Sequence, residues 1–468
     1  MARKFKTPDY EATLDSTITL RDALPADHLA RFIVDLVTKL DFSQFYARYA
    51  ESGAPPYAPE LLFGLLLYGY CTGVFSSRKI EKATSESLPF RFLAGGQQPD
   101  HDTIANFRQQ FLEEIKDLFV QVLLLAQGAG VLKLGNLSLD GSKIHADASK
   151  SQAVSYKRLL ELEVLLRSEV EELFKLAEAS EKGELPEGLK INDEIAFRQA
   201  RLERLEEARK ALEARADERY QEELAEYQAK LREREEKARR RGRKPGGRPP
   251  QPPGAGPGDK DQYNFTDPES QIMKNSKDGG FDQHYNAQVA VDQESRLIVA
   301  NSVSNHANDK QEAVPTLEAL DERLGQPEAA ALDNGYYSES NIAALESRGI
   351  EPYIATGREP HHRSWREYFE QQGAPPPETA SAKEKMAYKL RTEIGKLIYG
   401  LRKSTVEPVI GIIKEVLGFR QFSLRGQTKV AGEWNLVCLA YDVKRLHVLD
   451  GFDVKPAAGC RGISVSTD

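Results

Sequence analysis

Apolar residues recur at helical spacing through the first part of the chain. LARFIVDLVTKL, PELLFGLLLYGYCTGV, SSRKIEKAT and TIANFRQQFLEEIKDLFVQVLLLAQ, all between Asp27 and about Gly130, carry them on one face. Pro59 suits the first turn of the second helix. Ser76 or Ser77 can cap the third. The pattern predicts a compact helical domain with a basic helix face at Arg78, Lys79 and Lys82.

At Leu132 the period changes. KLGNLSLDGSKIHAD alternates and reads as a strand ending near Asp140. Residues 151–181 and 193–241 are then dense in Leu, Glu, Arg and Ala, with the breakers Gly183, Pro186 and Gly188 between them. This reads as two long helices folded back as a coiled-coil-like hairpin. GRKPGGRPPQPPGAGPGDK follows as a Pro/Gly linker. From Tyr263, HYNAQVAVD and RLIVANSVS form a strand hairpin. AVPTLEALDERL is a helix, PEAAALD a strand ending at Asp333, NIAALESRG a helix and EPYIATG a strand. A Pro-rich loop spans Glu359 to Ala382, and helices run from Ala387 onward. The order matches an α/β, RNase H-like core: a mixed sheet flanked by helices, with an N-terminal helical domain and a long helical-hairpin insertion after the first core strand. The expected boundaries are 1–130 helical domain, 131–150 first part of the core, 151–243 insertion, 244–262 linker, 263–449 remainder of the core and 450–468 disordered tail.

Composition changes this picture little. The 468 residues allow several domains, and 40% are apolar. The net charge of -8 argues against a nucleic-acid partner until it is mapped. The acids crowd between Leu159 and Glu236. Basic clusters lie at 237–248, 358–366, 383–403 and 414–425, and a local patch decides phosphate contact. Cys71, Cys438 and Cys460 are far apart and predict neither a disulfide framework nor a zinc site. The N-terminus lacks an apolar signal region, and the apolar run 61–70 is too short for a bilayer. The expectation is a soluble cytoplasmic protein.

Two aspartates stand where strands are expected to end: Asp140 in LSLDGS and Asp333 in AALDNGYYS. Such positions lift a carboxylate to the open edge of a sheet, where ligands bind in α/β folds. Glu407, in STVEPVIGIIK, lies near the start of an expected helix. Three carboxylates gathered together repel unless divalent cations neutralise them. Oxygen donors suit Mg²⁺ or Mn²⁺, and two such ions can drive phosphodiester chemistry. Taken singly, an Asp before Gly is a turn residue, and a Glu at a helix start favours the dipole.

The segments PPYAPELLFGLLLYGYCTGVFSSRKIE, PDHDTIANFRQQF, LSLDGSKIHADAS, DPESQIMKN, YNAQVAVD, ANDKQ, LDNGYYS, RKSTVEPVIGIIKEVLGFRQFSLRG and GEWNLVCLAYDVKRL occur in that order. Together they resemble bacterial insertion-sequence DDE transposases of the insertion-sequence eleven-eighty-two family, over about Leu24 to Leu449. The resemblance implies that Asp140, Asp333 and Glu407 are a catalytic, metal-binding triad using two Mg²⁺ (or Mn²⁺) ions. It implies double-stranded DNA as partner, both terminal inverted repeats and target, with a homodimer on DNA in a bacterial nucleoid and no membrane. Related elements carry a Tyr-Arg-Glu-Lys signature, matched here by Tyr399, Arg402, Glu407 and Lys414. The Arg-to-Glu spacing is one residue longer than usual, so Lys403 competes with Arg402. Lys414 lies about two helical turns from Glu407 and is expected on the same face. Arg78, Lys79 and Arg108, with Arg91 nearby, are candidates for repeat recognition. The alternative is a structural or dimerisation role for that domain.

Other residues read less sharply. His145 and Asp147 follow Asp140 on the same strand or turn, and His145 is surface or core filler, or else supports Asp140. His284 precedes a strand, and Asn286 can face the acids from it. Asn308 and Asp309 are read as caps of the following helix, and the family resemblance also allows them a place beside the site. The RRRGRKPGGRP segment is a basic tail on a linker or a minor-groove hook. Trp434, Val437, Cys438, Tyr441 and Leu446 form an apolar stripe for core packing. The rival readings are an inactive or domesticated DNA-binding derivative, a stand-alone nuclease of the same fold, and a structural coiled-coil protein.

Overall fold

The computed structural model describes residues 5–11, 18–50, 54–181, 190–242, 249–275, 279–357, 375–377 and 379–449. The breakers at Gly183, Pro186 and Gly188, the middle of the basic RRRGRKPGGRP segment, most of the Pro-rich loop and the C-terminal tail lie outside the described residues. Two compact units emerge: residues 1–147 together with 284–468, and residues 148–283.

The first unit opens with helices α1 (Leu29–Val37), α2 (Ser43–Ala47), α3 (Pro59–Thr72), α4 (Ser77–Glu86), α5 (Leu88–Leu93), α6 (His101–Gln110) and α7 (Leu112–Gly128). Pro59 starts α3, and Gly73 ends it in the left-handed region, where a Cβ would also meet the Leu417 carbonyl at 2.9 Å. Ser76 stands at the N-cap of α4 without a side-chain capping bond. The single helix expected from TIANFRQQF onward is broken at Phe111. Its ring packs among Phe45, Phe107 and Tyr49, with centroids 4.9–5.7 Å away, so aromatic packing overrides helical continuity there.

The sheet runs β6–β5–β1–β7–β8, with β1 (Asn136–His145), β5 (Phe281–Asp292), β6 (Ile298–Ser304), β7 (Ala329–Leu332) and β8 (Glu351–Ile354). β5 is antiparallel to β1 and β6; β7 is parallel to β1 and to β8. Helices α10 (Ala313–Glu318) and α11 (Glu339–Ser347) carry the chain between β6, β7 and β8. Helices α12 (Ala382–Lys389), α13 (Glu393–Gly411) and α14 (Gln427–His447) close it. Successive strand residues point to opposite faces. Ser302 meets Thr316 of α10 at 2.8 Å, whereas its neighbour Asn301 meets Asn435 of α14 at 3.1 Å. α10 and α14 therefore cover opposite faces.

The apolar stripe expected on α14 is buried, and so is most of the rest of that helix. One side packs on the sheet and the other on α3 and α7. Tyr70 donates to Glu433 at 2.8 Å, and Cys71 meets the Ala440 carbonyl at 3.3 Å. Cys71 and Cys438 are both fully buried, as small core residues. Among the described residues no single helix is long and apolar enough to cross a membrane.

Two further boundaries differ from expectation. β1 does not end at Asp140 but continues to His145, because β5 keeps pairing with it past the point where β7 stops. The helix expected over AVPTLEALDERL is shorter: α10 stops at Glu318, and a separate 3₁₀ turn covers Glu322–Leu324.

In the second unit, α8 (Tyr156–Glu181) and α9 (Ile191–Arg241) pack antiparallel around Leu159, Leu166, Leu205, Ala208 and Leu212. Arg198 to Glu169 at 2.7 Å and Arg209 to Glu163 at 3.4 Å link the pair. β2 (Ala153–Ser155) pairs with β3 (Gln262–Asn264) at the base, and β4 (Gln271–Lys274) follows. The end of the expected linker is held in place: the Tyr156 N–H donates to the Asp261 carbonyl at 2.8 Å, and Arg219 pairs with the Asp261 carboxylate at 2.9 Å.

Candidate active site at the open end of the sheet

β1 and β7 are in parallel register up to Ser138 opposite Ala331. Two residues further along stand Asp140, still in β1, and Asp333, just past the end of β7. Side chains two apart share a face, and adjacent strands lie about 4.8 Å apart. The two carboxylates are thus neighbours where the parallel pairing ends. Asp140 Oδ1 accepts from the Gly141 N–H at 2.9 Å. Asp333 Oδ1 accepts from the Gly335 N–H at 2.6 Å and caps the turn Asn334–Tyr336.

Helix α13 lies over this face of β1. Alternate β1 residues meet it in sequence. Thr405 donates to Ser138 at 2.8 Å, Arg402 donates to Asp140 at 3.2 Å, and Lys414, in the π-turn Ile412–Val416 that follows α13, donates to Ser142. Lys414 also donates to the Lys143 carbonyl at 3.1 Å. Arg402 is buried and reaches Glu407 with its other terminal nitrogen, at 3.6 Å. One guanidinium therefore stands between Asp140 and Glu407. Its Nε has no hydrogen-bond partner among the described residues.

Burial pushes the Asp140 carboxyl up to about 6; Arg402 opposes this, and the Asp333 and Asp309 carboxylates reinforce it. Asp309 enters here as a fourth acid. It does not cap α10. Its Oδ1 accepts from Asn286 and from Gln288, both at 2.8 Å, and these two carboxamides lie on one face of β5. Tyr336 in turn donates to Gln288 Oε1. Burial, and then the Asp309, Asp140 and Asp333 carboxylates, push the Tyr336 phenol well up, so it remains a donor. Gly141 permits this network. It pairs with Gln288 across the strands, and a Cβ there would lie 2.1 Å from Gln288 Nε2.

The expected site residues do not all come together. Asp140, Asp333, Glu407 and Arg402 come together. Glu407 is late in α13, not near a helix start, because the helix runs through Pro408 instead of beginning before it. Tyr399 packs beside Ala329, Ala331, Tyr353 and Ile398, with the Arg402 guanidinium 6.0 Å from its ring. Lys403, the next residue along α13, is exposed where Arg402 is buried. Lys414 is held against β1 and lies in the π-turn Ile412–Val416 that follows α13. Arg78, Lys79 and Arg91 are exposed.

Arg108 is a correction. It is 6% exposed, and its guanidinium donates to Tyr70, the Phe75 carbonyl and Ser423 at 3.0–3.2 Å, beside Glu433 at 3.8 Å. It is an internal strut and cannot face a phosphate. His145 and His284 stack across β1 and β5 with centroids 4.3 Å apart, away from the acids. Asp147 pairs with Arg425 at 2.8 Å, and Asn308 accepts from the Lys310 N–H at 3.2 Å. Asn286 does face the acids, through Asp309. Gln288, Gly141 and Ser138 were missed. The readable signal was two polar residues at alternate positions, Asn286 and Gln288, within Tyr285–Val291, where the other residues are apolar.

The donor set is oxygen only, and four carboxylates outnumber one guanidinium, which suits a hard divalent cation. Among the described residues, no three Asp, Glu, His or Cys side chains form a ready-made metal cage.

Two family models match the chain. A transposase domain (DUF772) covers residues 18–110, and a transposase DDE domain covers residues 372–447. These matches support an insertion-sequence DDE transposase. With the mixed sheet flanked by helices, the second match fits an RNase H-like core. It also supports a nuclease or transposase enzyme, DDE domains generally using divalent metal ions. Both imply DNA as a partner. The second match contains Glu407, while Asp140 and Asp333 lie outside both. No curated protein and no solved structure matches the chain.

Proposed function

We propose that the chain binds the terminal inverted repeats of an insertion sequence of the eleven-eighty-two family, cuts DNA at the element's ends and joins the freed 3′-hydroxyls to target DNA. The observation that carries this reading is the pairing of Asp140 and Asp333 at the end of the β1–β7 register, under a helix bearing Arg402 and Glu407. Asp140, Asp333 and Glu407 would hold two Mg²⁺ or Mn²⁺ ions, with Asp309 close by. Such ions, when bound, activate an attacking hydroxyl and stabilise the leaving oxygen of a phosphodiester. Arg402 supplies the positive charge between Asp140 and Glu407 without metal, and would have to yield to it. Tyr399, Lys414, Arg78 and Lys79 are the residues that meet DNA in this reading. Two ends must be cut together, so a homodimer on DNA follows, in the bacterial nucleoid.

A second reading, a catalytically inert DNA-binding derivative, draws on one observation: Arg402 bridges two of the three acids. Mg²⁺-dependent cleavage and joining of a duplex carrying the element's end decides between them, with wild type set against Asp333→Asn. Joined products from wild type alone, with DNA binding retained in the variant, establish the transposase. Binding without cutting in either metal leaves the inert derivative. Cleavage without joining leaves a nuclease.

A further inference from the structure

The second unit contains a groove that the site above does not use. It encloses about 460 Å³ between α8, α9 and the small β2–β3 sheet. Arg158, Arg201 and Arg204 line it together with Phe197 and Phe265, and among the described residues no acidic side chain does. This is notable in a helical pair otherwise crowded with glutamate. Phe197, Arg201 and Arg204 are spaced by four and three residues and share one face of α9. All three arginines are exposed. Arg158 pairs with Glu161 at 3.0 Å, and Arg204 lies over the Phe265 ring at 5.4 Å. Arg201 makes no ion pair or hydrogen bond among the described residues. Phe197 is 66% exposed at the rim, with no core to fill.

We propose that this groove binds an unpaired DNA strand. Arginines alternating with aromatic rings in a concave, acid-free wall suit a single strand, whose phosphates take the guanidiniums and whose unstacked bases lie on the rings. A duplex presents a convex backbone and hides the faces of its bases, so it would leave Phe197 and Phe265 unused. The proposal rests on the reading of the chain as a DNA-processing protein. It assigns the helical unit the task of holding a strand opened at a DNA end.

The test is fluorescence anisotropy of the full chain with a labelled oligo-dT strand and, separately, a blunt duplex, both in EDTA so that metal plays no part. Wild type should bind the strand. Phe197→Ala should weaken strand binding about tenfold or more, as loss of one stacking ring does. Arg201→Ala with Arg204→Ala should lower the slope of log affinity against log salt by about 0.7 for each phosphate the protein no longer neutralises. Arg201→Lys with Arg204→Lys should restore most of the slope. These side chains are exposed, so unchanged helicity by circular dichroism excludes unfolding. Equal strand binding by wild type and variants overturns the groove, as does binding of an acidic protein partner in place of DNA. Wild type that binds duplex alone overturns the groove and leaves the transposase reading intact. Wild type that binds neither overturns both.

Discussion

Two places in the first unit bury acids beside an arginine, and they are built on opposite plans. At the α14 core, Glu433 is fully buried, yet its oxygens accept from Tyr70, from the Ser423 hydroxyl and from the Ser423 and Leu424 N–H groups, with Arg108 3.8 Å away. At the open end of the sheet, Asp140 has Arg402 and one backbone N–H, and faces the Asp333 and Asp309 charges. The first acid is met by donors, with Arg108 as its charged neighbour. The second has like charges and few donors. A satisfied buried charge holds structure together, whereas a crowded one stores repulsion that a cation can relieve.

The largest effect should come from breaking the satisfied site. Glu433→Ala leaves Arg108 buried without its counter-charge and strips four donors of their acceptor. It should cost about 3–5 kcal/mol, the usual loss when one partner of a buried pair is removed. Urea unfolding measures this. A cost below about 1 kcal/mol would show that the two acids do not differ in kind.

The crowded site should respond with the opposite sign. Asp140 titrates at about 6 in the folded protein against a usual 3.8. The folded state thus holds the proton more tightly than the unfolded chain. The destabilising contribution is absent below pH 3.8, grows between there and about 6, and is complete above that. Without divalent ions, Asp140→Asn should therefore be more stable than wild type at pH 8, by up to about 3 kcal/mol, and no more stable at acid pH. A divalent ion at this carboxylate competes with the proton, so its affinity should rise with pH up to about 6 and then level off. Melting curves across pH, with and without Mg²⁺, give both. A variant that is less stable at pH 8 would count against stored repulsion.

Gly141→Ala probes the support behind the acids. Its Cβ would meet Gln288 Nε2 at 2.1 Å, so the carboxamide must move and Asp309 loses a donor. Overpacking of this kind costs about 1–3 kcal/mol. Gly141→Ala with Gln288→Ala should recover part of that, because the clash is gone. A single variant as stable as wild type would show that the network is slack.

Much of this was legible in the sequence. The period change at Leu132 places β1, and the short apolar run before Asp333 places β7, because a buried parallel strand must be apolar on both faces. The long Leu-, Glu- and Arg-rich stretch gives α8 and α9. What stayed hidden depends on partners far along the chain. Asp309 in NHANDKQ reads locally as a cap, and only the carboxamides of Asn286 and Gln288 on another strand turn it toward the acids. Arg108 reads locally as a surface cation, and only Tyr70, Ser423 and Glu433 make it internal. Nor does the spacing of Glu407 and Lys414 reveal that Lys414 lies in a π-turn.

The contrast between Arg108 and the exposed pair Arg78 and Lys79 yields the smallest expected effect. Both sets of residues lie in the N-terminal helical region that matches a transposase domain, and local sequence cannot rank them. Burial can. Arg78→Ala with Lys79→Ala removes no packed or hydrogen-bonded group that α4 needs, so stability should move by less than about 0.5 kcal/mol. If the exposed face of α4 meets DNA, the log–log salt slope of duplex binding should fall by about 0.9 for each phosphate left without its cation. Arg108→Ala should show the reverse, a loss of stability with an unchanged slope wherever the protein still folds. A changed slope in Arg108→Ala at full stability would mean that the buried arginine reaches DNA after all, and that the helical region opens when it binds.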